Sequence, residues 1–276
     1  MVGCAPGARP QHLSIMFVDS HCHLNFPEYA QTLDQVRADM AEARVDKALC
    51  ISTTLEEFPQ VQALAGRYDN FWATVGVHPD NEGVQEPTVE DLVERSRLPR
   101  VVGIGETGLD YHRLGERSVA DMAWQRERFR VHVRAARQTG LPLVIHTREA
   151  SADTLAILQE EGEGQVRGVF HCFTETEAVA RAALDLGFFI SFSGILTFKN
   201  AVELREVARF VPLNRCLIET DSPYLAPTPH RGKTNSPAYV SLVARQLAAI
   251  KGCDEAEVGR VTTENFEQLF SLVRCS

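Results

Sequence analysis

The sequence predicts an α/β protein, a single-domain (β/α)8 TIM barrel, and three observations lead there. Short β-branched or apolar runs alternate with longer stretches of helical spacing, with no linker or low-complexity break between them. Eight such runs recur at a spacing of ~30 residues, the size of one βαβ unit. Each run is nearly continuous in apolar character, as strands covered on both faces are. Eight units in ~250 residues match the barrel, with an open doubly wound sheet as the alternative.

In chain order the runs are Ile15–Val18, Ala48–Ile51, Trp72–Val77, Val101–Ile104, Leu143–Ile145, Gly168–Phe170, Phe189–Phe192 and Leu217–Ile218 with their flanks. Between them, Leu33, Val36, Met40 and Ala43 fall on one helical face, as do Phe129, Val133 and Ala136. Arg126, Arg130, Arg134 and Arg137 occupy the other side of that second helix and read as a solvated row. Pro237 to Val273 reads as two closing helices. Residues 1–15 are expected to be a loose extension, with Met16 a candidate start, and residues 16–276 to be the barrel domain.

Composition narrows the function. Lys+Arg 28 against Asp+Glu 37 gives a net charge of −9, the wrong sign for wrapping long duplex through many phosphates. It leaves room for nucleic acid gripped locally at an end. No stretch approaches the ~20 apolar residues of a membrane span, and the N-terminus lacks the apolar core of a secretory signal. Seven cysteines lie far apart without a C-x-x-C pair, which points to a reducing, cytoplasmic setting.

Barrel strands deliver functional side chains at their C-terminal ends. Asp19-Ser20-His21-Cys22-His23 follows the first run, His78 the third and Glu106 the fourth, while His146, His171 and Asp221 close the fifth, sixth and eighth. Residues two apart in a strand face one side, so Asp19, His21 and His23 are expected to point together, with Cys22 opposite. Imidazoles in H-x-H joined by distant histidines and carboxylates form a divalent-metal constellation. Four histidines and two carboxylates exceed the needs of one tetrahedral ion, and two ions sharing a carboxylate account for them.

The remaining candidates have plainer readings. His78, in Gly76-Val77-His78-Pro79, is either a turn residue or a substrate contact. His112 and His132 lie off the strand ends and read as surface or helix-face residues. His230 sits in a Pro-rich ordered loop whose basic residues, through Lys233, are within reach of a phosphate. Cys22, Cys50, Cys172 and Cys216 read as packing residues. Gly103 to Gly108 fits G-x-G-x-x-G, but the stretch from Leu109 to Gly115 reads as loop instead of helix, and Glu106 would repel a pyrophosphate. A nucleotide cofactor is therefore rejected.

Three stretches carry a family likeness: Phe17-Val18-Asp19-Ser20-His21-Cys22-His23-Leu24, Pro142-Leu143-Val144-Ile145-His146-Thr147-Arg148, and Leu217-Ile218-Glu219-Thr220-Asp221-Ser222-Pro223-Tyr224. Gly76 to Pro79 and Gly105 to Tyr111 agree with them. Over about Met16 to Phe270 the chain resembles the TatD family of metal-dependent deoxyribonucleases, within the amidohydrolase-like barrels. Glu149 and Cys216 depart from the family pattern, and neither is a proposed ligand. The resemblance implies two divalent cations per chain, drawn from Mg, Mn, Zn or Ni. It places His21, His23 and Asp221 on one ion and His146 and His171 on the other, with Glu106 bridging. It also implies DNA as the substrate, single-stranded or at ends.

The chemistry expected of such a site is in-line attack on phosphorus by a hydroxide held between two cations ~3.5–4 Å apart. Asp221 would orient the water or take its proton, and His78 and Arg148 would neutralise the phosphate, with Arg113 a further contact. Asp19 and Glu219 are expected to accept hydrogen bonds from ligating imidazoles, or else to form a salt bridge at the barrel mouth. Two other functions fit the same residues: a small-molecule esterase, lactonase or phosphotriesterase, and a non-catalytic metal-binding interaction protein.

Overall fold

Eight parallel strands form one sheet in chain order, each hydrogen-bonded to the next. They are β1 (Phe17–Cys22), β2 (Val45–Cys50), β3 (Phe71–Val75), β4 (Val101–Asp110), β5 (Leu143–Arg148), β6 (Gly168–Phe170), β7 (Phe189–Phe192) and β8 (Cys216–Ile218). The structure is a computed structural model and describes residues 16–271, so the expected loose extension of residues 1–15 lies outside the described residues. The last strand returns to the first. Asp221 N donates to His21 O at 3.0 Å and His23 N to Ser222 O at 2.8 Å, with a parallel bridge between Cys22 and Ser222. That seam turns the sheet into the expected (β/α)8 barrel.

One apolar layer takes a side chain from every strand: Val18, Leu49, Trp72, Val102, Val144, Val169, Phe189 and Leu217. Phe266, Leu269 and Phe270 pack into the same cluster from the end of the last helix. Counting forward by twos from this layer, strand alternation carries His146, His171, Glu219 and Asp221 to the same side, and β4 brings Glu106 there through register shifts against both its neighbours. β1 differs. Its register slips between Asp19 and Cys22, and a bulge of this kind reverses the alternation. His21 and His23 join the inward set for that reason, and Asp19 does not.

The helices are α1 (Leu33–Glu42), α2 (Phe58–Arg67), α3 (Val89–Ser96), α4 (Ala123–Thr139), α5 (Ser151–Gly162), α6 (Glu177–Asp185), α7 (Val202–Phe210), α8 (Val240–Lys251) and α9 (Glu255–Leu269). Along α4, Phe129, Val133 and Ala136 are buried, as their spacing predicts. Its arginine row pairs outward with α5, Arg130 with Glu160 at 2.7 Å and Arg134 with Glu161 at 2.8 Å. The helix stops where Gly140 takes φ +71°, a conformation cheap only for glycine. No helix among the described residues is long and apolar enough to cross a membrane.

The structure corrects three expectations. β4 continues through Leu109 and Asp110, because it keeps its ladder with β5 as far as Asp110 opposite Arg148; the loop begins only afterwards. β1 extends to Cys22 instead of ending at Val18. His132 is fully buried on α4, not at its surface. Its Nε2 accepts from Val77 N at 3.0 Å and its Nδ1 donates to Arg128 O at 2.8 Å. The imidazole thus anchors the backbone just before His78.

Burial pushes the His132 pKa down from 6.5 to about 4, with Arg128 and Glu86 as its charged neighbours. Between those values the unfolded chain binds a proton that the folded chain refuses, so stability falls as pH drops through that window. At ~1.4 kcal/mol per pH unit the loss is ~3 kcal/mol. His132→Gln keeps an acceptor and a donor but does not titrate. Urea denaturation at pH 7, 5.5 and 4.5 should show a smaller acid-induced loss in this variant than in the wild type; equal losses would show that His132 is not the group responsible.

Candidate metal centre

The ends of six strands meet around one carboxylate. The two oxygens of Glu106 face different partners. Oε2 lies 3.3 Å from His21 Nε2 and 3.8 Å from His23 Nε2. Oε1 lies 2.8 Å from His171 Nε2, 3.3 Å from His146 Nδ1 and 3.3 Å from His78 Nε2. Asp221 Oδ1 completes the first side, 3.6 Å from His21 Nε2 and 3.5 Å from His23 Nε2. Three donor triads result: His21, His23 and Asp221; His21, Glu106 and His171; and His78, Glu106 and His146, each with ligand atoms within 4.8 Å of one another.

Local backbone makes this convergence possible. Gly105 has φ +151°, and a Cβ there would stand 2.7 Å from Val144 O on the neighbouring strand. Only glycine lets β4 run this close to β5 while Glu106 turns inward. Asp221, in the turn that follows β8, and Cys172, in the one that follows β6, have positive φ of +56° and +41°. Non-glycine residues held there cost ~1–3 kcal/mol each and concentrate at functional sites.

Hydrogen bonds fix which nitrogen each imidazole presents. His146 Nε2 lies 2.9 Å from Asp110 Oδ2, leaving Nδ1 and its lone pair toward Glu106. His171 Nδ1 faces Glu219 Oε1 at 3.3 Å, leaving Nε2 free. That Nε2 is buried and has no hydrogen-bond partner despite its short approach to Glu106. A buried ring nitrogen without a hydrogen-bond partner beside a carboxylate suits a cation in place of a proton, so the residues fit the ions that the resemblance implies. His78 is built differently. Its Nδ1 accepts from Asp80 N at 3.0 Å, which puts the neutral ring's proton on Nε2, facing Glu106. His78 therefore presents an N–H donor at the centre instead of a lone pair.

Electrostatics reinforce the pattern. Burial alone would raise the Glu106 carboxyl, but the facing His171, His78 and His21 hold it well below the usual range. Asp221 is likewise low, because His23, His21 and His171 outweigh its burial. Burial works to lower His171, yet Glu106 and Glu219 lift it well above its ordinary value. His21 is lowered by burial and by the stacked His171, whose ring centroid is 3.8 Å away. In the metal-free chain, protons occupy part of the space that cations would take.

His23, His78, Glu106, His146, His171 and Asp221 line a cavity of about 770 Å³, with His21 buried behind them. Arg148 and Arg113 also stand in its wall; Arg113 is 71% exposed and lies 3.8 Å from Asp80. Glu219 accepts from a ring nitrogen as expected, and also from Cys172 N at 2.7 Å. Asp19 does not. Its carboxylate takes Thr220 N at 2.9 Å and His21 N at 3.2 Å, so it holds backbone because the bulge in β1 turns it away from the rings. Cys172, read as a packing residue, lines the cavity, where burial pushes its thiol pKa up. Asp110 was missed. It lies four residues beyond Glu106 on the same strand face, but the glycines of this segment make it read as loop.

Known proteins resemble this chain in sequence and in fold. The family described as TatD related DNase matches residues 18–271. An Escherichia coli K12 protein named uncharacterized metal-dependent hydrolase YcfH is 47% identical over 262 residues, 94% of this chain and 97% of its own. A Citrobacter koseri protein named 3'-5' ssDNA/RNA exonuclease TatD is 33% identical over 260 residues, covering 92% of this chain and 98% of its own. Among solved structures, the Escherichia coli TatD homologue YjjV superposes with a TM-score of 0.84 at 26% identity, over 92% of this chain and 98% of that one.

Asp110→Asn keeps the shape but weakens the acceptor that fixes His146. Metal titrations followed by calorimetry should show a ~10–100-fold loss of affinity in one class of site; unchanged affinity would leave Asp110 without an orienting role. Because cations and protons compete for the same lone pairs, wild-type metal affinity should rise as pH rises. Proton release measured in two buffers of different ionisation enthalpy checks this.

Proposed function

The chain belongs to the TatD-related DNase family of metal-dependent hydrolases, and on that premise we propose that it is a phosphodiesterase that removes nucleotides from the ends of DNA, preferentially from single strands, with two divalent cations. One observation carries the proposal: a single buried carboxylate, Glu106, turns each oxygen to a separate set of imidazoles. His21, His23 and Asp221 would hold one cation, His146 and His171 the other, and Glu106 both. When bound, such cations acidify water and offset charge on a phosphodiester.

The chain's own groups complete the chemistry. Asp221, kept ionised by its neighbouring imidazoles, is the acceptor for the proton released at the attacking water. The His78 N–H donates to a phosphate oxygen, and Arg148 neutralises its charge from the cavity wall. Arg113 reaches the same substrate from the rim. A cavity of about 770 Å³ at the top of a filled barrel admits a strand end more readily than the middle of a duplex. The net charge of −9 is compatible with this, because an end-acting enzyme contacts few phosphates.

The alternatives have less support. All six expected ligand positions are occupied by donors, which disfavours a non-catalytic binding protein. Thr53, Asn81, Thr147 and two arginines in the wall suit a phosphate-bearing chain better than a small apolar ester.

Digestion of a labelled single-stranded oligonucleotide with Mg²⁺, Mn²⁺ or Zn²⁺ should give a ladder of single-nucleotide steps, while a panel of small esters and lactones is cleaved poorly. His146→Ala and Glu106→Ala should each lower turnover by about 10²-fold or more. Turnover that survives both substitutions, or a preference for the esters, would overturn the assignment.

A further inference from the structure

Next to the ligands stands a pair of rings that the hydrolytic chemistry does not use. Phe26 stacks on His23 with centroids 4.8 Å apart and planes 20° from parallel, and it meets Tyr224 edge-on at 6.2 Å. Both rings line the cavity. Tyr224 is 53% exposed, the one aromatic among the large apolar side chains that the described residues expose. It is also held firmly: Tyr224 N donates to Asp221 O at 3.0 Å, and Tyr224 O accepts from Asn235 Nδ2 at 2.6 Å. A ring anchored to the turn of a metal ligand yet left open to solvent is poised to stack on something that enters.

The chain beyond Tyr224 supplies positive charge. From Leu225, in the cavity wall, it runs to Thr228, whose N donates to Thr197 Oγ1 at 2.9 Å, and on to Arg231, whose guanidinium covers the Phe198 ring at 3.5 Å. Lys199, Arg231 and Lys233 have no ion-pair partner among the described residues. Elsewhere in this acidic chain, arginines such as Arg117, Arg130, Arg134 and Arg260 are held by carboxylates. Flat rings followed by unneutralised cations are how proteins take single-stranded nucleic acid without reading its sequence: bases stack, and phosphates follow the charge.

We propose that Phe26 and Tyr224 form a stacking shelf for a base of a single-stranded nucleic acid adjoining the cleaved phosphate, with Lys199, Arg231 and Lys233 receiving the phosphates beyond it. The inference rests on the phosphodiesterase reading and narrows it, making the substrate a strand whose bases are unpaired and whose sequence is not read.

The test compares oligonucleotides with natural and abasic terminal residues, at either end, on the metal-loaded wild type, Tyr224→Ala and Tyr224→Phe. Removing the base at the bound end should raise the wild-type KM about tenfold. Tyr224→Ala should raise the KM for the natural strand by a similar factor and abolish the difference between the two substrates, while Tyr224→Phe retains it. Wild type that ignores the missing base, or Tyr224→Ala that still senses it, overturns the shelf even though the nuclease reading stands. If no oligonucleotide is cut, the nuclease reading fails by itself. Quenching of a terminal 2-aminopurine then decides the shelf separately: it is supported by quenching that weakens in Tyr224→Ala and refuted by equal signals.

Discussion

A buried carboxylate surrounded by imidazoles organises this molecule. Glu106 has almost no exposed surface and sits where an isolated negative charge would be prohibitively costly. It is stable there because histidines from four other strand ends or the loops after them stand around it, sharing protons with it or, in the loaded protein, sharing cations. Removing any one of those rings leaves charge uncompensated, so the surrounding architecture has little freedom. The strands must end at the same level, each in the correct alternation, and β4 must approach β5 closely enough that only glycine fits at position 105.

The barrel meets these demands with one layer of apolar side chains and with register slips in two of its strands. From that layer, alternation brings the carboxylates of β8 and the imidazoles of β5 and β6 to a common rim, while β4 brings Glu106 there through register shifts against β3 and β5. β1 reaches it only by a slip in register, which inverts its pattern so that two histidines enter the site and Asp19 turns outward to hold Thr220 and the His21 amide. A surrounding set of partners then sets the chemistry of each ring. Asp110 and Glu219 fix the lone pairs of His146 and His171 toward Glu106. A backbone amide does the opposite for His78 and makes it a donor. The same residue type thus presents a ring nitrogen's lone pair in some places and an N–H in another, and the distinction lies entirely in what stands behind the ring.

That distinction marks where the sequence stops being informative. The ligands were legible because they occupy strand ends, and strand ends follow from apolar runs that pattern alone exposes. β6 and β7 have the bounds that their apolar runs suggested. Asp110 escaped because glycines at 103, 105 and 108 interrupt the apolar run of β4 and make its second half resemble a loop. The pairing with β5 that keeps this segment extended is a tertiary fact. Asp19 and His132 were misplaced for related reasons. A register slip leaves no trace in composition, and a histidine on an arginine-rich helix looks like surface until its ring is found between Val77 N and Arg128 O.

The charge balance is compatible with the nuclease activity proposed above. Several cations at the surface, among them Arg117, Arg130, Arg134 and Arg260, are committed to carboxylates, which lowers nonspecific attraction for duplex there. Arg148 stands in the wall of the cavity that leads to Glu106, and in the proposed reading Lys199, Arg231 and Lys233 extend that positive charge outward. If cations are held at the reaction centre, as proposed, their charge would make binding depend on reaching that centre. On that reading a strand that cannot bring a phosphate to the metals would gain little from the rest of the protein, and recognition would be coupled to the same donors that the hydrolysis needs.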